Sequence, residues 1–589
     1  MKPKYKRREL FTPDTEDLTA LVLDSDQFTD FCTFDIEADL IDEQWVFTLA
    51  HVYYGGDSKV FHNIFDLHDH LKSLNVPAYA HNLDFDILFF MQQETLMSNV
   101  VDEPIISSGN LMLSVIIDGV EFRNSLALFP MSLKVIVRKF LKINDEDYEN
   151  DKSNVTNING ERLSLYCAKD CFYLFLAIVK YRSFTIKNGS DVKLTTPATA
   201  LAIFKKEYLP LNRGLLDPKN RHSFFDTDYY FGGHTEKFYA GVYAFRNVYY
   251  YDANSLYPAC MRELKLCASK LERRQPTIQN LKSRFNKGEL FFCELVVNID
   301  SEELRFFPSL DSEKHINRYR SGVQTIKTSE LGVGFILRWG SWDNIIQVKT
   351  LLCYREHKPI EPFKDYVDHF YGLRKSDPSN DGTCKLLLNS LYGKFAEKLT
   401  KEVRYINLKQ HKQGLEPVSF GRINGDGSMV SKFKEEAPFY KHSMNRLDIS
   451  GKITEAGRLL MGDYINTIRH SGETVYYTDT DSIITSCDIK NTPLSYMTHP
   501  ELLGKLSDEI GHKDNVIILG VKTYHFYKSG KKATKGVKNM TLSDFRDIVR
   551  GKSKFYNTRF SRMNSLITKG FFGLQKVPYE IKTILERLD

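Results

Sequence analysis

The tetrapeptide Asn-Ser-Leu-Tyr occurs twice in this chain, at 254–257 and at 389–392, in two settings that cannot share one local structure. Before the first copy runs "GVYAFRNVYYYDA", rich in β-branched and aromatic residues, and Pro258 follows it, which restricts Tyr257 to extended or turn geometry. The first copy is therefore predicted just beyond a strand. In the second, Lys385, Asn389, Tyr392 and Gly393 recur at helical spacing with leucines at 386, 387 and 388 among them, which predicts a helix. The two copies are therefore not structural repeats.

Carboxylates supply the chemistry. "VYYTDTDSII" sets Asp479 and Asp481 on either side of Thr480, between two β-rich runs. Near the N-terminus "FCTFDIEADL" alternates as a strand does, so Asp35 and Glu37 project from one face. "YAHNLDFDILFF" adds Asn82, Phe85 and Asp86, and the helical period of "ERLSLYCAKDCFYLFLAIVKY" brings Tyr166 and Asp170 to one side. Hard oxygen ligands of this kind suit divalent ions.

A chain of 589 residues exceeds one core, so several domains of about 100 to 200 residues are expected. An aromatic content of 13% offers stacking surfaces, and a net charge of +5 permits a polyanionic partner without demanding one. Nine cysteines without a Cys-x-x-Cys pair suggest neither a disulfide framework nor a Cys-rich zinc site, and fit a reducing compartment. No apolar run is long enough for a membrane span or signal peptide, so a cytoplasmic protein is expected.

The motifs occur in an order that resembles the family B DNA polymerases. Asp-x-Glu, then Asn-x-x-Phe-Asp, then Tyr-x-x-x-Asp is similar to the three motifs of their proofreading 3′–5′ exonuclease domain. That likeness implies Asp35, Glu37, Asp86 and Asp170 as metal ligands, Tyr166 orienting the attacking water, and Asn82 and Phe85 holding the frayed strand. Ser125, Leu126 and Phe129 match a further DNA-contact element, for which Ser132 and Leu133 compete; the lysine that relatives carry near "RKFLKINDEDYEND" has no clear match, Lys142 being the nearest. "Asp-x-x-Ser-Leu-Tyr-Pro", "Lys-x-x-x-Asn-Ser-Leu-Tyr-Gly" and "Tyr-x-Asp-Thr-Asp-Ser" resemble polymerase motifs A, B and C. They imply that the two copies of Asn-Ser-Leu-Tyr are facing walls of one pocket, with Asp252 and Asp481 as metal carriers, Asp479 beside them, and Lys385 meeting the incoming triphosphate. Ser255 and Leu256 would also bind nucleotide, Tyr257 would act as steric gate, and Asn389, Tyr392 and Gly393 would line the nascent pair. Magnesium or manganese, two ions per site, is implied as cofactor.

"YYFGGHTEKF" supplies Tyr230, Gly232 and Gly233, "KITEAGRLL" supplies Thr454, Gly457 and Arg458, and "VKTYHF" supplies Lys522 and Tyr524, similar to template- and primer-contacting motifs. The set looks like the protein-primed polymerases of small linear-genome phages, the phi-twenty-nine group, and of linear plasmids. It implies a mixed α/β fold: an RNase H-like exonuclease over 1–190, then a right-hand polymerase. Within the latter, palm is expected at 191–260 and 448–530, a first terminal-protein-region insertion at 261–360, fingers at 361–395, a second insertion with a β-hairpin at 396–447, and thumb at 531–589. The helix before motif B departs from the relatives: "LRKSDPSNDGTCK" holds Pro378 and Gly382, with Arg374 as the substitute for their extra basic residues. Expected partners are primer-template and single-stranded DNA, deoxynucleoside triphosphates and a terminal protein primer, with the enzyme a monomer. An RNA- or DNA-primed enzyme of the same fold is the alternative; an inactive scaffold would have lost carboxylates that are all present.

Overall fold

The computed structural model describes residues 5–580 except 14, 26, 42–43, 92, 98–101, 107–110, 154–158, 210–213, 218–219, 221, 226–227, 240–242, 312–315, 398–400, 406–416, 423–428, 436–445, 535–539, 551–553 and 561–573. The fold is mixed α/β, built on two eight-stranded sheets. In the first, Cys32–Ile41 (β1) pairs antiparallel with Gln44–Tyr54 (β2) and parallel with Ala78–Ala80 (β3). Beyond β3 the chain turns at Asn82, in left-handed backbone (φ 75), into helix Leu83–Met91 (α1). Helix Gly160–Lys187 (α2) packs on this sheet, buried along much of its length from Leu163 to Thr185. The Thr33 hydroxyl donates to the Cys171 carbonyl at 2.7 Å and pins helix to strand.

The second sheet is organised around Tyr243–Ala253 (β4), from which the chain passes through Ser255 (φ 48) into helix Leu256–Glu263 (α3). Tyr257 is therefore helical, where extended or turn geometry was expected. Pro258 falls in the first turn, where its missing N–H would have had no intrahelical acceptor. Helices Lys364–Ser376 (α4) and Asp381–Lys394 (α5) stand together, the Tyr366 hydroxyl donating to the Leu387 carbonyl at 3.1 Å. Pro378 lies in the turn between them. Gly382 is required by close packing: a Cβ there would stand 2.8 Å from the Phe140 ring.

Helix Leu447–His470 (α6) precedes Val475–Asp479 (β5) and Ser482–Thr485 (β6), and Asp514–Gly520 (β7) borders β4 on its other side. Between α3 and α4, strand Phe291–Ile299 pairs with Gly322–Ser329 and Ile345–Tyr354. This layer is riveted to α6 by the buried Glu455 carboxylate, which accepts from the Thr328 hydroxyl, the Ser329 N–H (3.1 Å) and hydroxyl (2.7 Å), and the Tyr229 hydroxyl (3.2 Å). After α5, strands Pro417–Arg422 and Met429–Glu435 pair antiparallel. The hairpin tip expected at Asn424 to Gly427 lies outside the described residues. Among the described residues no helix is long and apolar enough to cross a membrane.

Candidate active sites

β4 and β6 are antiparallel neighbours in the register Asp252↔Ser482, and the Ala253 N–H donates to the Asp481 carbonyl at 2.6 Å. Asp252 and Asp481 thus meet at one end of the sheet. The Asp479–Asp481 turn is held open by Thr480 in left-handed backbone (φ 61), whose N–H donates to the His234 carbonyl at 2.7 Å. Only glycine fits the facing loop at 233, where a Cβ would sit 2.6 Å from the Thr480 methyl. A cavity of about 590 Å³ opens here, lined by Asp252, Asp481 and Glu509 on the sheet side, by Ser255, Leu256 and Tyr257 at the start of α3, and by Arg374, Lys385 and Asn389 opposite. The two copies of Asn-Ser-Leu-Tyr do face one pocket.

Burial, then the charges of Asp481 and Glu509, push the Asp252 carboxyl up to about 7 against the pull of Lys531 and Lys385. Burial also raises Asp481, with Asp479 adding to the shift. Carboxylates held together under such mutual repulsion are a fitting seat for a hard cation. Asp479 is engaged elsewhere: Lys522 Nζ lies 2.8 Å from its Oδ1, to which the Thr235 hydroxyl also donates at 3.0 Å. The Tyr257 ring packs 4.5 Å from that of Tyr392, which joins the two walls, and its edge lies over Gly457, where a Cβ would approach to 3.2 Å. Around Gly393 a Cβ would meet nothing within 4 Å. Arg374 Nε donates to Asp381 at 2.5 Å and its NH1 to the Ser255 hydroxyl at 3.2 Å.

A second cluster lies on the first sheet. Ligand atoms of Asp35, Glu37 and Cys167 fall within 4.8 Å of one another. Asp86 Oδ1 accepts the Ile36 N–H at 3.1 Å, which brings α1 against β1 between the two acids. Asp170, on α2, accepts from the Tyr148 hydroxyl. The Tyr166 hydroxyl is pushed far up by burial and then by the charges of Asp170, Glu37 and Asp35. Asp35 and Glu37 thus present a close pair of carboxylates of the kind a divalent ion takes, while Asp86 and Asp170 adjoin that cluster without joining it. Phe85 is half-buried against Trp45, ring centroids 5.3 Å apart, and Asn82 is exposed at the head of α1. Ser125 is buried, its hydroxyl donating to the Ala80 carbonyl at 2.9 Å, while Leu126 is half-buried; the competing Ser132 is exposed. Lys142 lines a separate cleft with Lys180 and Asp377.

The sequence matches, over residues 137–419, the family model described as DNA polymerase type B, organellar and viral. Over these residues the chain is similar to the type B DNA polymerases. It is 26% identical over 504 residues to the DNA-directed DNA polymerase of Enterobacteria phage PRD1, covering 82% of this chain and 79% of that protein. It is 25% identical over 400 residues to a probable DNA polymerase of Neurospora intermedia, covering 64% of this chain. The chain spans only 39% of that protein's length, and 31% of the length of a relative from Ascobolus immersus. In three dimensions it is similar to Phi29 DNA polymerase in its orthorhombic crystal form, with a TM-score of 0.69 at 17% identity over 94% of this chain and 99% of that one.

The remaining motif residues are distributed unevenly. Tyr230 is 38% exposed. Arg458, expected to touch DNA, is instead buried in α6, where its NH1 donates to the Phe231 and Gly232 carbonyls at 2.8 and 2.9 Å. Thr454 is also buried, bonded to the Gly451 carbonyl. Lys522 sits in left-handed backbone (φ 56) and Tyr524 is buried beside Tyr250. Two residues escaped the sequence reading. Tyr148, stacked on Tyr166 at 5.8 Å, lies in an acidic run with no motif spacing. Glu509 enters through a loop whose sequence carries no carboxylate pattern; its N–H bond to the Tyr250 carbonyl (3.1 Å) places it there.

Proposed function

We propose that this chain is a type B DNA polymerase that extends a primer 3′-hydroxyl along a DNA template from deoxynucleoside triphosphates, and trims mispaired 3′ ends at a second site. The observation that carries the reading is the meeting of Asp252 and Asp481 at the ends of β4 and β6, across one cavity from Lys385. Asp252 and Asp481 would hold two divalent ions, magnesium or manganese, which when bound supply activation of the attacking oxygen and neutralisation of the leaving phosphates. Lys385 draws the triphosphate in, and Tyr257, braced by Tyr392, closes the space that a ribose 2′-hydroxyl would need. Asn389 and Gly393 leave room for the nascent pair.

At the editing site Asp35, Glu37, Asp86 and Asp170 would hold the ions, with the Tyr166 phenol, kept protonated by its surroundings, hydrogen-bonding the attacking water. Two separated sites make physical sense, because base discrimination of about 1 to 3 kcal/mol by binding leaves errors for hydrolysis to remove. We assign exonuclease to 1–190, palm to 191–260 and 448–530, fingers to 361–395 and thumb to 531–589. The insertions at 261–360 and 396–447 support priming from a terminal protein and strand displacement.

Primer extension tests the synthetic reading: Lys385→Ala should raise KM for deoxynucleotides steeply, and an unchanged KM would remove Lys385 from the triphosphate site. Priming is tested by incubation with a co-encoded terminal protein: nucleotide joined to its hydroxyl is expected, and no such product with the cognate partner would refute that branch.

A further inference from the structure

Trp45 lies at the start of β2, in the register Leu40↔Trp45, Ala38↔Phe47 and Glu37↔Leu49. Its cross-strand partner is three residues beyond Glu37, about 10 Å along the strand. The indole meets Phe85 edge-on at 5.3 Å, Phe85 meets Phe89 at 5.5 Å, and Phe47 meets Phe89 at 6.1 Å. Phe89 is buried, whereas Trp45, Phe47 and Phe85 are only half-buried; the exposed Ile41 and Val46 alternate with Trp45 and face the other side of the sheet. A run of apolar and aromatic side chains left open to water at a hairpin marks a binding surface. This one is continuous with the carboxylates: Phe85 adjoins Asp86, whose carboxylate is bonded to β1 between Asp35 and Glu37.

We infer that Trp45 forms a stacking platform for an unpaired base of the single strand whose 3′ end the carboxylates receive. The inference rests on the editing reading above. An indole accepts any base by its π-face, which suits a site that must take whatever error arrives. Phe85 holds the indole edge-on and is itself backed by the buried Phe89, which pre-orders the platform.

The chain has three tryptophans, and the other two are remote in role: the Trp339 indole N–H donates to Asp463 and the Trp342 ring lies under Lys282. Full-length protein is titrated with a short thymidine oligonucleotide in chelator, and indole fluorescence is followed. Quenching that saturates is expected. In Trp45→Leu the quenching should vanish and affinity fall about tenfold, or about 1.4 kcal/mol, while Trp45→Phe keeps most of the affinity; extension of a paired primer by each variant reports folding. Quenching that survives in Trp45→Leu, or affinity unchanged in it, overturns the platform. If the unmodified protein shortens single strands with magnesium and Trp45→Leu binds them equally well, only the platform falls. If the unmodified protein neither binds nor shortens them, the editing reading falls with it.

Discussion

Replacing Arg458 by alanine separates two roles that its motif alone confuses. The side chain is only 5% exposed, and its guanidinium bonds the carbonyls of Phe231 and Gly232, the loop that places Gly233 against Thr480. Hydrogen bonds from a charged donor contribute about 1.5 to 3 kcal/mol each, and their removal leaves two carbonyls without a donor. The loss is therefore about 4 kcal/mol, which for a domain of this kind lowers Tm by roughly 10 °C. Extension should fall because the turn carrying Asp481 loses its support. A salt titration of primer-template binding distinguishes the alternative: each phosphate contact contributes about 0.9 to the slope of log affinity against log salt. With Arg458 acting as a buttress, the slope is unchanged in Arg458→Ala. A slope shallower by about one, with the thermal transition unmoved, would refute the buttress and restore a direct DNA contact.

Tyr257→Val should admit ribonucleotides into the product, measured by alkaline cleavage of extended strands; unchanged sugar selectivity would remove the steric gate. Gly233→Ala should slow extension and leave shortening intact, since the added methyl collides with Thr480 at the synthetic site alone; equal loss of both activities would point to general damage. His70 is half-buried against Phe61, and burial lowers its pKa from 6.5 to about 4. The unfolded chain therefore binds the extra proton first, so the stability due to this neutral ring is present above 6.5 and is lost as pH falls toward 4. His70→Phe should flatten the dependence of Tm on pH across that window, and an unaltered dependence would contradict the assignment.

The carboxylates were legible because each has a periodic context. Asp35 and Glu37 alternate on a strand, Tyr166 and Asp170 lie a helical turn apart, and Asp481 follows a β-run into a two-residue turn. Local period says which face a residue occupies, and the sheets then carry those faces together. It does not say which side of a helix is covered, and so Thr454 and Arg458 read as surface contacts when α6 buries them beneath the palm loop. Tyr148 and Glu509 were invisible for another reason: each reaches its site through contacts between segments distant in sequence. Pro258 misled because its preference acts on the residue before it, while a first helical turn tolerates proline and the Tyr257–Tyr392 packing favours the helix.

The most direct test is to follow a 5′-labelled primer on a long-overhang template with magnesium, with and without deoxynucleotides, for the unmodified protein, Asp481→Ala and Asp86→Ala. The unmodified protein should lengthen the primer with nucleotides and shorten it without them; Asp481→Ala should only shorten, and Asp86→Ala should only lengthen. Loss of both activities in either variant, or lengthening that survives in Asp481→Ala, would contradict the assignment of two separate carboxylate centres.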